Sequence, residues 1–248
     1  MSQEPKFITN EPALLMEKTL IVSDLHLGIE YEFYQSGIKV PSQTEKIKQK
    51  LDSLLRVTKA KTLIFLGDTK HKVPGISYQE MREIPELLEY FSSKTKLICV
   101  MGNHDPGLED LAPKTVSLRP TQGFLLDNIY LNHGHTWPAK DFLKAKYIVI
   151  GHVQPQIEFR DRLGYVWREQ VWLRAELNKT KLKEKYGKIK NLPELIIMPA
   201  FNPFAGGHAI NRKVEVKEHA NPLVKCANMK KAKIYLLDGT YLGELGKL

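Results

Sequence analysis

Thr19-Leu20-Ile21-Val22-Ser23-Asp24-Leu25-His26 sets a short β-favouring run directly before a carboxylate and an imidazole. The same arrangement returns at Thr62-Leu63-Ile64-Phe65-Leu66-Gly67-Asp68 and at Leu97-Ile98-Cys99-Val100-Met101-Gly102-Asn103-His104-Asp105. Runs of four to five apolar residues, closed by glycine and polar types, read as buried strands. Between them lie two helical patterns. Ile47, Leu51, Leu54 and Leu55 share one face of a helix over 44–58, with Pro41 ahead of it and a capping box expected from Ser42 and Glu45. Met81, Ile84, Leu87, Leu88 and Phe91 form a second stripe after Ser77 and Glu80, interrupted by Pro85, where the helix is expected to kink or begin. This β-α-β-α-β rhythm predicts a partly parallel sheet covered by helices. Open α/β sheets hold their ligands at the carboxyl ends of the strands, where these polar residues stand.

The second half changes rhythm. Candidate strands are 115–118, 124–126, 129–131, 147–150, 156–159, 165–173, 195–198, 213–217 and 233–237, with helical segments only around 139–145 and 179–187. No Pro/Gly/Ser-rich linker or internal repeat divides the chain, so one domain over 1–248 is expected. The run Lys179 to Lys190, with six lysines and one glutamate, reads as an insertion between strands. The 248 residues are 42% hydrophobic and 26% charged, which excludes disordered and fibrous classes. No stretch has the length and apolarity of a membrane span, and residues 1–20 lack the pattern of a signal peptide. Cys99 and Cys226 give no disulfide framework and no thiolate zinc pair, so a cytoplasmic protein is expected. The net charge of +9 favours encounters with polyanions and suits a phosphate-bearing substrate. A homodimer is compatible with the sequence, but no heptad or apolar face specifies one.

Five of the eight histidines fall in five motifs at predicted strand ends: Asp24-x-His26, Gly67-Asp68, Gly102-Asn103-His104-Asp105, His133-Gly134-His135 and Gly151-His152. Mixed carboxylate and imidazole donors suit manganese, zinc or iron better than magnesium or calcium. Asp68 is placed to bridge two cations, and its charge would reduce their mutual repulsion. Asn103 offers an amide oxygen. His104 is a candidate proton donor, with Asp105 expected behind it to hold the imidazole in its tautomer. His135 and His71 are candidate substrate contacts. Trp137, Trp167 and Trp172 read as core or rim residues ahead of base-stacking platforms.

In their order and spacing the five motifs resemble the calcineurin-like metallophosphoesterases. Asp24-Leu25-His26-Leu27-Gly28 with Glu30, then Met198-Pro199-Ala200-Phe201 and Gly206-Gly207, are similar to a narrower branch. That branch holds small archaeal phosphoesterases related to the double-strand-break-repair nuclease family, and the resemblance extends to bacterial DNA-ligase-associated phosphoesterases. It covers about residues 18–210. It implies a four-layer α/β/β/α sandwich, two mixed sheets flanked by helices, and two divalent cations, manganese first, with zinc, iron or nickel as alternatives. One cation would take Asp24, His26 and Asp68, and the other Asp68, Asn103, His133 and His152. A hydroxide activated between them would attack phosphorus, with His104 as general acid. The family closes with Gly-His-x-His, whereas here Gln154 follows Gly151-His152-Val153. An amide oxygen is a poorer ligand than imidazole for the softer metals. Gln154 could ligate weakly, bind a metal-held water, or leave its site empty. The implied function is metal-dependent hydrolysis of phosphodiester or phosphomonoester bonds in a nucleotide or nucleic acid. A DNA exo- or endonuclease acting in repair, and a non-catalytic phosphate-fold binding or scaffold protein, are the alternatives.

Overall fold

Strand placement follows the apolar runs closely in the computed structural model, which describes residues 4–212 and 221–248. The first sheet has the order β1 (Lys6–Phe7), β2 (Leu14–Met16), β3 (Thr19–Val22), β4 (Thr62–Leu66), β5 (Lys96–Val100), β6 (Ser117–Arg119). The first three strands pair antiparallel, and β3 to β6 run parallel. The second sheet runs β13 (His208–Ala209), β10 (Pro155–Arg160), β11 (Val166–Glu176), β12 (Glu194–Ile197), β9 (Tyr147–Ile150), β8 (Ile129–Leu131), β7 (Phe124–Leu126), with β14 (Lys233–Leu236) and β15 (Tyr241–Glu244) joined through β11. It too is mixed: β8, β9 and β12 are parallel, while β10 and β11 pair antiparallel. The candidate strand at 213–217 and His219 lie outside the described residues.

Strand alternation explains the layers. In β3, β4 and β5, Leu20, Val22, Leu63, Phe65, Leu97 and Cys99 face α2 (Thr44–Thr58) and α3 (Tyr78–Lys94), where Leu51, Leu88 and Phe91 meet them. Their neighbours Ile21, Ile64, Leu66, Ile98 and Val100 point the other way and pack on Leu131, Tyr147, Val149, Trp172 and Ile196 of the second sheet. The opposite face of that sheet is covered by Phe142, by α5 (Lys179–Tyr186) through Leu182 and Tyr186, and by α6 (Pro222–Cys226). The result is two mixed sheets with helices outside, as the motifs implied. Because a strand buried on both faces needs apolar residues at every position, the central runs are continuous rather than alternating.

Several local expectations are corrected. The capping box forms at Ser77, whose hydroxyl accepts from Glu80 N–H while Glu80 accepts from Ser77 N–H. It does not form at Ser42. There the N-cap is Gln43 without a side-chain bond, and Ser42 donates to Glu83 of α3 instead. The helix neither begins nor ends at Pro85; α3 continues through it because its apolar stripe on the sheet outweighs one lost hydrogen bond. The segment near 139–145 is a 3₁₀ turn at Lys140–Lys144. Strands β1, β2 and β15 and helix α1 (Glu30–Gln35) had no sufficient signal, being only two to six residues long. Both cysteines are buried free thiols. No helix among the described residues is long and apolar enough to cross a membrane.

Phe65→Ala would empty a fully buried ring site beside Phe91. The expected loss is about 3–5 kcal/mol in urea denaturation, with the slope unchanged.

Candidate metal centre

Five strands of the two sheets end at one place. β3 leads to Asp24 and His26, β4 to Asp68, β5 to Asn103 and His104, β8 to His133, and β9 to His152 and Gln154. Backbone bonds lock these loops to one another. Asp24 N–H donates to Gly67 O (3.2 Å), His26 N–H to Asp68 O (2.8 Å) and Gly151 N–H to His133 O (3.0 Å). The segment after β12 ties the second sheet to the first. Phe201 N–H donates to Ser23 O (2.8 Å), and Asn202 Nδ2 donates to Leu25 O (2.8 Å).

The price of this convergence is backbone strain. Asp24, His26, Asp68, His152 and Gln154 all have positive φ, between 48° and 66° except for His26 at 41°. Such residues cost on the order of 1–3 kcal/mol each and persist only where their surroundings over-determine them. Gly67, at φ 86°, cannot be replaced without loss, because a Cβ there would overlap the His133 ring.

Asp68 stands at the middle. Its Oδ2 lies 3.1 Å from His133 Nε2 and 3.6 Å from His26 Nε2, and its Oδ1 accepts from His104 N–H at 2.9 Å. Asp24, fully buried, accepts from the Ser23 hydroxyl (2.6 Å), from His152 N–H (3.2 Å) and from Gln154 Nε2 (3.0 Å). His26 Nε2 is 3.9 Å from Asp24 Oδ1. Two donor sets share Asp68: Asp24 with His26, and His133 with His152. In each the ligand-type atoms lie within 4.8 Å of one another. The rings of His133 and His152 are 5.2 Å apart, and His135 lies 5.4 Å from His133 at the mouth.

Electrostatics favours cations here. Burial pushes the Asp24 carboxyl up, and Asp68 adds to that. Burial would raise Asp68 as well, but the facing imidazoles, His133 first, hold it well below the carboxylate range. Burial would lower His133; Asp68 outweighs it, and its imidazole is raised to about 10. Burial lowers His26 to about 3, and burial with His133 lowers His135 and His152 to about 4. Neutral imidazoles with free lone pairs are the ligand form.

Two buried atoms carry the test of fit. The Oδ1 of Asn103 has no hydrogen-bond partner, and His133 Nε2 has none of proper geometry despite its nearness to Asp68. His133 Nδ1 is taken by Leu66 O at 2.8 Å, which leaves Nε2 as the atom turned on Asp68. Buried polar atoms without a partner occur elsewhere among the described residues too, at Asn132 and Trp172 for instance; what singles out His133 is its carbonyl-held ring, the usual outer support of a metal-binding histidine. The residues present therefore fit divalent cations.

Two candidates stand elsewhere than expected. Asp105 does not lie on the His104 ring. Its Oδ1 accepts from Thr69 N–H (2.8 Å) and Lys70 N–H (3.1 Å), and its Oδ2 from Gly102 N–H (2.7 Å). The carboxylate thus ties the β4 loop to the β5 loop, and burial together with Asp68 pushes it up to about 6. The atom facing His104 Nδ1 is the carbonyl of His71. His71 itself sits inside the constellation, its Nδ1 3.2 Å from His26 Nδ1, its Nε2 against Glu32, and its ring stacked on His104. Gln154 bridges Asp24 and His26, its Nε2 3.0 Å from each.

Sequence reasoning missed Ser23, Glu32, Glu80 and Asn202. Ser23 adjoins Asp24 and was legible in principle. Glu80 was seen only as a helix cap, yet its Oε1 also accepts from His71 N–H (2.9 Å) and Lys72 N–H (2.7 Å). Nothing in the sequence marks Glu32 or Asn202.

With this geometry in view, the family comparison is informative. The calcineurin-like phosphoesterase model matches residues 17–197, and the chain belongs to that family. Its class is therefore that of phosphoester hydrolases for which divalent metals are implied. Among solved structures, the Pseudomonas putida nuclease MPE is similar in fold, with 18% identity, a TM-score of 0.57, and coverage of 97% of this chain and 98% of that one. Yfce, a phosphoesterase from E. coli, shares 20% identity at a TM-score of 0.37 over 58% of this chain and 73% of its own. Comparison with curated proteins found no match.

Asp105→Ala would strand three buried N–H groups. It is expected to cost about 3 kcal/mol of stability in chemical denaturation, whereas an imidazole-orienting role alone would leave stability unchanged.

Proposed function

We propose that the chain is a metal-dependent phosphoesterase, one catalytic domain over 1–248, that hydrolyses phosphodiester or phosphomonoester bonds of a nucleotide or nucleic acid. The observation that carries the reading is the pair of buried, unpartnered ligand atoms, Asn103 Oδ1 and His133 Nε2, beside a carboxylate shared by two donor sets. Asp24, His26 and Asp68 would hold one cation, with Gln154 beside it. Asp68, Asn103, His133 and His152 would hold the other. Two divalent cations, manganese first, supply positive charge against the phosphoryl oxygens and make water a stronger nucleophile.

The chain's own groups do the rest. His104 is half-buried at the mouth. The His71 carbonyl against its Nδ1 fixes that nitrogen as a donor, so Nε2 is the atom turned to the leaving oxygen, and it would deliver a proton from the imidazolium form and be left as the neutral Nδ1–H tautomer. Asp105 acts as a positioning residue, since it fixes the turn on which Asn103 and His104 sit. His71 orients His26 from behind through Nδ1, and Glu32 holds His71 in turn. His135, at the mouth beside His133, would touch substrate phosphate, and its ring 5.4 Å from that of His133 supports this role.

Manganese-loaded protein is expected to turn over an aryl phosphodiester. His104→Ala should lower kcat about 10²–10⁴-fold with metal content unchanged by elemental analysis. Absence of both stoichiometric metal and turnover would leave only a binding role.

Gln154 is expected to make the first position the weaker one. Calorimetric titration with manganese should resolve a tighter and a weaker event, and Gln154→His should tighten the weaker alone. Two equal events in the unaltered chain would show that the amide carries no such penalty.

A further inference from the structure

The lysine-rich run is unused by the reading above, and the fold gives it a definite place. Asn178 caps α5 by accepting from Thr180 N–H (2.9 Å) and Lys181 N–H (3.1 Å). Leu182, Tyr186 and Ile189 are buried in the core on the outer face of the second sheet, and the Tyr186 hydroxyl donates to Pro138 O at 2.6 Å. The helix is thus anchored by its apolar side. Lys179, Lys181, Lys183, Lys185, Lys188 and Lys190 are all exposed, and no ion pair among the described residues engages them. Solvated lysines on a mobile loop would need no explanation; a docked row of them is a built surface.

Two clefts flank that row. One, of about 550 Å³, is lined by His135 at the mouth of the candidate metal centre, by Trp137, and by Lys181 and Lys225, with Glu184 as its one carboxylate. The other, of about 650 Å³, is walled by Lys140, Lys144, Lys188 and Lys190, which outnumber its one carboxylate, Asp141. Trp137 ties the first cleft to the helix, because its ring packs edge-on against Tyr186 and Lys185 Nζ lies over it, 5.8 Å from the centroid. The first cleft therefore leads from the catalytic mouth past an indole to Lys181 of α5, and the second opens on Lys188 and Lys190 just beyond the end of that helix.

We infer that α5 and its flanking clefts bind the phosphate backbone of a single nucleic-acid strand and feed it toward His135. This rests on the phosphoesterase reading and names its substrate as a polymer. A cationic groove that tracks a backbone, with an aromatic face for an unpaired base, is the physical form of single-strand binding. The surface contributes affinity through released counterions, so it works without the catalytic metals.

Fluorescence anisotropy of labelled oligodeoxythymidine and oligouridine, with chelator present, tests this. Unaltered protein should bind one or both, with affinity falling steeply between 50 and 200 mM salt. The K181E/K185E/K188E variant should bind at least tenfold more weakly, its log–log salt slope smaller by about 2, at about 0.7 per phosphate contact. Its turnover of an aryl phosphodiester should be unchanged. The control is K46E/K61E/K96E, an equal charge change at exposed lysines away from the strand ends that form the site. Single K185Q guards against misfolding and should give a smaller loss in the same direction.

Equal weakening in both triple variants would mean net charge alone, and would overturn the inference. So would an α5 variant that binds like the unaltered chain, or tighter binding of duplex than of single strands. Loss of aryl phosphodiester turnover in the unaltered protein would instead sink the phosphoesterase reading.

Discussion

Asp68 carries its charge where water is excluded, and everything near it is arranged around that fact. A lone buried carboxylate would take up a proton. This one keeps its charge because His133 and His26 face one oxygen and His104 N–H faces the other. The surrounding groups separate into types accordingly. Asp24 and Asp105 are pushed up, His133 is pushed up toward Asp68, and the outer imidazoles are pushed down. Asp68 favours positive charge at His133. A proton on Nε2 would occupy the lone pair a metal needs, so metal entry and proton release are two sides of one equilibrium.

Holding such a cluster requires a stiff frame. Five residues of the site sit at positive φ, and they stay there because two sheets meet over a shared apolar layer of Ile21, Ile64, Leu66, Val149, Trp172 and Ile196. The Met198–Phe201 stretch then pins the second sheet to the Ser23 loop. The strain is borne by packing some distance from the site. Phe201 and Asn202 accordingly contribute to the centre without facing it.

Outer support proved more revealing than ligand identity. His71 connects three things: its side chain touches His26, its carbonyl faces His104, and its N–H is held by Glu80 of α3. One loop residue thus couples a candidate ligand, a candidate acid and the first helix layer. Asp105 has a comparable structural task, tying the β4 loop to the β5 loop. Gln154 shows the reverse case, a change at the position that the resemblance assigns to a ligand. Its amide spans Asp24 and His26 with a dipole where the family's histidine would offer a lone pair.

By itself the sequence determined the strand cores, the two long helices, and the residues that gather at the strand ends. Those signals are local: apolar runs of strand length, a 3.6-residue stripe, and side chains whose chemistry has few other uses in such positions. The Ser42 cap, the role of Asp105 and the place of His71 were decided only by tertiary structure. A cap depends on which neighbour competes for the hydroxyl, and Glu83 of α3 does so 41 residues away. A carboxylate binds whichever N–H groups the folded loops turn toward it, and those of Thr69 and Lys70 arrive from 36 and 35 residues away. The lysine run was visible as charge, but its continuity with the site through Trp137 exists only once α5 is docked by Leu182 and Tyr186. Composition and periodicity record what a segment does with its own neighbours. Which distant group it meets is set by how the two sheets close on each other.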